Sequence, residues 1–135
     1  MSHNITLSGV KIKDLDTFAK IVTEMSNGQA TLHKKASRFR TYAGQDPACD
    51  AKIKMPGPHD VGLKKNKDGS YTPVFDPYNM SPIFKNDGCT NRIGKLLQEY
   101  ALQEAEYEAA RNGFTATRVP GEKNTVTLEL VPVAA

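Results

Sequence analysis

The chain has 135 residues, a formal net charge of +3 at pH 7 and 39% hydrophobic residues, which suits one domain with a single core and no need of disulfides or metal. No run of 18 apolar residues occurs, so no membrane span is expected, and Met1-Ser2-His3-Asn4-Ile5 lacks the basic and apolar regions of a secretory signal. Cys49 and Cys89 are too few for a disulfide framework and point to a reducing cytosol.

Residues 4–12 read as a strand, with Ile5 and Leu7 on one face and Val10 and Ile12 on the other. The parity change at Ser8-Gly9 predicts a β-bulge. A helix follows from Asp14 to Ser26. Asp14 is its expected N-cap, Leu15, Phe18, Ile21, Val22 and Met25 form its apolar stripe, and Asn27-Gly28 ends it. Residues 30–42 read as a second strand, residues 48–55 as a third, and Gly44-Gln45-Asp46-Pro47 as the turn between them.

In residues 60–76, Asp68-Gly69 is a strong hairpin signal, because both residues tolerate the positive φ that a type I′ turn requires. That turn sets Lys67 opposite Ser70 and Leu63 opposite Val74. One face then holds Val61, Leu63, Thr72 and Val74, and the other Lys64, Asn66, Tyr71, Pro73 and Phe75. Residues 76–89 read as an ordered loop anchored by Tyr78, Met80, Ile83 and Phe84. A long helix is expected from Thr90 to Asn112, capped by Asp87 or Thr90 and stopped at Gly113, with Arg111 against its C-terminal dipole. A closing hairpin pairs 115–119 with 125–131 around Gly121-Glu122-Lys123-Asn124. The fold class is α+β, a mainly antiparallel sheet with two helices on one face in the order β-α-β-β-β-β-α-β-β.

These pieces in this order resemble a family of uncharacterised hypothetical chloroplast reading-frame proteins shared by plastids, cyanobacteria, other bacteria and phages. The residues that carry the resemblance begin with Met1-Ser2-His3 and Val10-Lys11-Ile12-Lys13-Asp14-Leu15. Arg40-Thr41-Tyr42-Ala43-Gly44-Gln45 and Asp60-Val61-Gly62-Leu63 before Asp68-Gly69-Ser70-Tyr71 follow. Leu97-Gln98-Glu99-Tyr100-Ala101, Ala110-Arg111-Asn112-Gly113-Phe114 and Thr125-Val126-Thr127-Leu128 complete the set. The loop at 76–89 departs from the family's tryptophan-containing stretch, as the chain has no Trp. The resemblance implies the fold and a bacterial, plastid or phage origin. It implies no activity and no site residues.

Candidate chemistry is sparse. His3, His33, His59, Cys49 and Cys89 are the soft metal ligands, but no C-x-x-C, H-x-x-x-H or H-E-x-x-H spacing occurs. A metal set would need His59-Asp60 beside Cys49-Asp50; the plain alternative makes His59 a loop residue bonded to its neighbours. Cys89, at the predicted start of the long helix, is the one candidate nucleophile, with a small packing residue as its alternative. The same helix start offers Gly88 and Arg92 to an anion, although it is no P-loop. Glu99, Glu104, Glu106 and Glu108 read as a solvated helix face.

Charge is uneven along the chain. Nine Lys and Arg stand against three acids from Ala30 to Lys67, and five against six Glu from Gly88 to the end. Lys34, Lys35, Arg38 and Arg40 on the second strand, with Phe39 and Tyr42 among them, could hold a phosphate backbone and stack bases. Lys-protected sheet edges account for the same charges. With no catalytic constellation and no cofactor fingerprint, the sequence favours a non-enzymatic binding or regulatory module. It would act through a protein partner or self-association, without a cofactor, in the cytoplasm (the host's, if phage-encoded). The alternative is a nucleotide or nucleic-acid binder using Lys34, Lys35, Arg38, Arg40 and Arg92.

Overall fold

A computed structural model describes residues 2–5, 11–41, 46–75, 83–84, 93–122 and 125–133. The first helix, α1 (Leu15–Met25), begins where expected. Asp14 takes an extended conformation, and its carboxylate accepts the backbone N–H groups of Asp16 and Thr17 at 3.0 and 3.1 Å. Those bonds hold the Asp14 carboxyl below the ordinary carboxylate range. At the other end Asn27 and Gly28 both adopt positive φ, and the Gly28 N–H reaches back to the Thr23 carbonyl at 2.9 Å. Phe18, Ile21 and Val22 are the stripe's buried members. Each contributes about 1.5–3 kcal/mol of burial.

Nine strands lie among the described residues. β1 (Ser2–Ile5) pairs with β9 (Val126–Pro132), and β9 pairs with β8 (Phe114–Pro120), giving a three-stranded antiparallel sheet of order β1-β9-β8. β2 (Thr31–His33), β5 (Ala51–Lys54), β6 (Val61–Lys65) and β7 (Tyr71–Val74) form a four-stranded antiparallel sheet in that order. β3 (Ser37–Arg38) and β4 (Ala48–Cys49) form a short ribbon. The α+β class and the antiparallel pairing match the sequence reading. The long strands expected at 30–42 and 48–55 are instead broken, each into two pieces, so that β3 and β4 can leave the sheet. The strand expected at 4–12 is divided as well. Its start pairs with β9, whereas Ile12 bridges Tyr71 beside the other sheet. The bulge expected at Ser8-Gly9 lies outside the described residues.

The hairpin of β6 and β7 differs from expectation by one residue. Asn66 faces Ser70 across a three-residue loop, with Asn66 N–H to Ser70 O at 2.7 Å and Gly69 N–H to Asn66 O at 3.0 Å. Gly69 alone in the loop takes positive φ, at 88°. Asp68 instead accepts the Ser70 N–H at 2.9 Å. This is a type I turn closed by a left-handed glycine, so Leu63 faces Pro73 and Gly62 faces Val74. A one-residue shift moves every β7 side chain to the opposite face. Tyr71 and Phe75 consequently pack on the core beside Val61 and Leu63, while Thr72 and Val74 are exposed.

The second helix, α2 (Gly94–Arg111), starts with Ile93 at its N-cap and no side-chain capping bond there, and the caps expected at Asp87 or Thr90 lie outside the described residues. Gly113, with φ of 80°, ends it as expected. Both helices cover one face of the four-stranded sheet. Ile12, Phe18, Ile21, Val22, Ile93, Leu96 and Tyr100 meet Ala51, Ile53, Val61 and Leu63 in one buried cluster, which Phe84 joins from the 76–89 segment. Ile83 packs against the cluster half-buried, and the other two anchors expected there, Tyr78 and Met80, lie outside the described residues. α2 also packs on β8 and β1, and Gln98, Leu102 and Ala109 are buried outside the main cluster.

Candidate functional site

The four cations grouped on one predicted strand go to different places. Lys34 follows β2 and forms an ion pair with Asp16 in the first turn of α1. Lys35 is exposed in the bend between β2 and β3. Arg38 donates to the Asp46 carbonyl at 2.8 Å. Arg40 lies just beyond β3, and its Nε and Nη2 grip Asp60 at 3.1 and 2.8 Å while Nη2 also reaches the Met55 carbonyl at 2.6 Å. Arg92 and Cys89 lie outside the described residues.

Asp60 is the centre of this clamp. Its side chain is 1% exposed, against 42% for Arg40, and it also accepts the backbone N–H groups of Arg40 and Met55, both at 3.0 Å. Burial opposes its charge, but the Arg40 bond and the two backbone N–H groups prevail and hold its pKa below the usual carboxylate range. The pairing raises that of Arg40. With its oxygens saturated in this way, Asp60 is spoken for as an acceptor. Cys49 is buried with its sulfur beside Ser37, and His33 contacts Thr31 at 3.3 Å. Among the described residues no three His, Cys, Asp or Glu converge as a metal-binding group.

The clamp fastens the ribbon over the face of the four-stranded sheet that the helices leave bare. Phe39, 2% exposed, lies on Gly62, where a Cβ would stand 2.4 Å from the ring. Only glycine accommodates that approach. Lys52 Nζ donates to the Arg38 carbonyl at 2.8 Å, and Lys64 Nζ to the Ala48 carbonyl. Lys54 shares their face through the register of β5. This surface is cationic, and several of its cations are engaged in holding the ribbon.

Two shallow grooves meet at Lys13. One, of about 490 Å³, runs past Lys13, Asp16, Lys34, Lys65 and Tyr71. The other, of about 520 Å³, runs between Lys11 and Lys13 and the Glu104–Glu108–Arg111 side of α2. At the floor of the second, the Tyr100 hydroxyl accepts the N–H groups of Lys13 and Asp14, both at 2.9 Å. Its ring meets Phe18 edge-on at 5.5 Å. Tyr100 thus braces the start of α1 against α2. Burial and the nearby Asp14 raise the pKa of Glu104.

The glutamates read as a solvated face are partly engaged. Arg118 of β8 forks onto Glu99 at 2.9 and 2.8 Å and onto Glu106 at 2.9 and 2.7 Å. Burial of Glu99 works against its charge, but Arg118 and Gln103 hold its pKa down, and the two carboxylates raise that of Arg118. Sequence reasoning missed this pairing although a signal was present: Arg118 shares strand parity with Phe114 and Ala116 and so falls on the helix side of β8. The opposite face of the three-stranded sheet carries Thr115, Thr117, Val119, Thr127, Glu129 and Val131. Apart from Val74, the exposed large apolar residues among those described are Tyr107 (64%), Val119 (36%), Val131 (59%) and Val133 (59%), all on α2 or on and just after β9 and β8.

The family model described as "Protein of unknown function (DUF1257)" matches residues 24–130, most of the chain, and the protein belongs to that family. No curated protein and no solved structure matches it. Among the described residues, no helix is long and apolar enough to cross a membrane.

Proposed function

We propose that this chain is a small non-enzymatic binding or regulatory module of the cytoplasm that acts through protein–protein contacts. One observation carries the reading: four of the five exposed large apolar side chains among the described residues lie on α2, on β8 or on and just after β9, and the paired β8 and β9 residues of the outer face hold one charge, Glu129, among threonines and valines. Charge depletion with exposed aliphatic and aromatic side chains is the composition of an interface core.

A second reading has its own support. Lys52, Lys54 and Lys64 share the outer face of the four-stranded sheet, which suits a nucleotide or a nucleic-acid backbone. The engagement of Lys34, Arg38 and Arg40 in structural bonds weighs against these as its contacts, and Lys52 and Lys64 are themselves bonded to ribbon carbonyls.

Native mass spectrometry of the protein, gently purified from its own host, tests the choice. The protein-contact reading expects a defined oligomer or a bound protein, lost in a Val119→Lys/Val131→Lys variant whose melting temperature is unchanged. A monomer carrying nucleotide or nucleic acid that dissociates steeply with salt would replace it with the second reading.

A further inference from the structure

We propose that β8 pairs with β8 of a second copy, antiparallel and centred on Ala116, joining two three-stranded sheets into one of six strands. This deepens the protein-contact reading and rests on it, because it names the partner of the same flank.

The backbone assigns the free groups. Gly121 N–H donates to Thr125 O and Val133 N–H to Gly113 O, both at 2.8 Å, in the register that pairs Phe114 with Pro132 and Pro120 with Val126. The hydrogen-bonded pairs of an antiparallel ladder alternate, so they fall at odd-numbered positions of β8. The N–H and C=O groups of Phe114, Ala116 and Arg118 therefore point away from β9, to the edge where, among the described residues, the sheet ends. This edge is seven residues long, has no lysine, and has its only proline at the last position. Among the described residues no strand pairs with this edge, and its one charged side chain, Arg118, is held by Glu99 and Glu106.

Several features favour a second copy. An antiparallel edge is its own complement about a two-fold axis. Centred on Ala116, the pairing uses every outward N–H: Phe114 bonds Arg118 of the other strand, Ala116 bonds Ala116, and Arg118 bonds Phe114. Centred on Thr117, it sets Phe114 against Pro120, which has no N–H. Centred on Arg118, it sets two cations face to face. In the Ala116-centred register each Arg118 is bound by Glu99 and Glu106 of its own chain, so no unpaired cation meets another across the seam. Beside the seam, Tyr107 continues the Glu99–Gln103 stripe of α2 at four-residue spacing, exposed and aromatic on the flank next to Arg118.

The test is sedimentation velocity of the full chain from about 1 to 100 µM, a range that brackets a micromolar dissociation constant. Wild type is expected to dimerise. Ala116→Pro removes an N–H that β9 does not use, so it is expected to weaken the dimer at least about tenfold with an unchanged far-UV spectrum. An Ala116→Cys variant on a Cys89→Ser background is expected to form a disulfide-linked dimer on mild oxidation, since facing residues of a hydrogen-bonded pair lie about 5.5 Å apart. That second measurement stands even if the proline variant misfolds. A wild type monomeric throughout, an undiminished dimer in a folded Ala116→Pro, or absence of the cross-link overturns the proposal. A monomer that holds a different host protein, released by Ala116→Pro, overturns self-pairing alone. A monomer that holds no protein overturns the protein-contact reading with it.

Discussion

The two sheets of this protein treat their helix-free faces in opposite ways. The four-stranded sheet is rich in cations there, yet Arg40 is bound to Asp60, Lys52 and Lys64 are bound to ribbon carbonyls, and Phe39 closes over Gly62. The three-stranded sheet carries almost no charge on its outer face, and β8 ends it without a neighbouring strand among the described residues. The lesson is that a cluster of basic residues in a sequence can be construction material. The plainer, Thr- and Val-rich strands can be the surface that remains open to a partner.

The largest expected effect breaks the ribbon side. Arg40→Ala leaves the Asp60 carboxylate buried with only its two backbone donors, and a loss of about 3 kcal/mol is expected in urea unfolding, at the low end for a buried pair because Arg40 is partly exposed. Were Arg40 a phosphate contact, the variant would keep its stability and lose only anion affinity. Because the Asp60 pKa is depressed, its contribution is present above the unfolded value of about 4 and is lost as pH falls through the lower folded value. The stability difference between wild type and Arg40→Ala should therefore shrink in acid, which a urea series from pH 7 to pH 2.5 reads directly.

Next in size is Gly62→Ala. The new methyl group meets the Phe39 ring, and overpacking of this kind costs about 1–3 kcal/mol. Combining it with Phe39→Ala should be clearly less destabilising than the sum of the single changes, because the clash vanishes with the ring. Strict additivity in thermal melts would place Phe39 elsewhere.

The smallest effect falls on the open side. Arg118→Ala releases Glu99 and Glu106, all about one-third exposed, and about 1 kcal/mol is expected. Glu99 is depressed, so this contribution too is present above the unfolded carboxylate pKa of about 4.3 and fades below it. Equal losses at pH 7 and pH 3 in chemical unfolding would contradict the assignment.

What the sequence disclosed follows the range of the interactions. The Asp14 cap, the stop at Asn27-Gly28, the exit at Gly113 and the closing hairpin are set by neighbours in the chain and were legible there. The Asp68-Gly69 hairpin was legible as a hairpin but not in register. Asp and Gly suit a two-residue turn, yet Asp68 gains more by accepting the Ser70 N–H, leaving Gly69 as the sole left-handed residue. The break in the strand at 30–42 was not legible, because its causes are distant: Asp60 draws in Arg40 from 20 positions away and Gly62 draws in Phe39 from 23. For the candidate surface, composition pointed to the cationic stretch. Strand parity, applied to Thr115, Thr117, Val119 and Arg118, would have pointed to the other sheet.

Residue-resolved amide exchange of the full chain at low and high concentration is the most direct test that contacts form through the α2–β8–β9 flank. The account predicts that the amides of Ala116 and Arg118, which have no acceptor on β9, exchange more slowly as concentration rises, while those of Lys52, Lys54 and Lys64 do not change. Fast exchange at Ala116 and Arg118 at every concentration, or slowing confined to the four-stranded sheet, would contradict it.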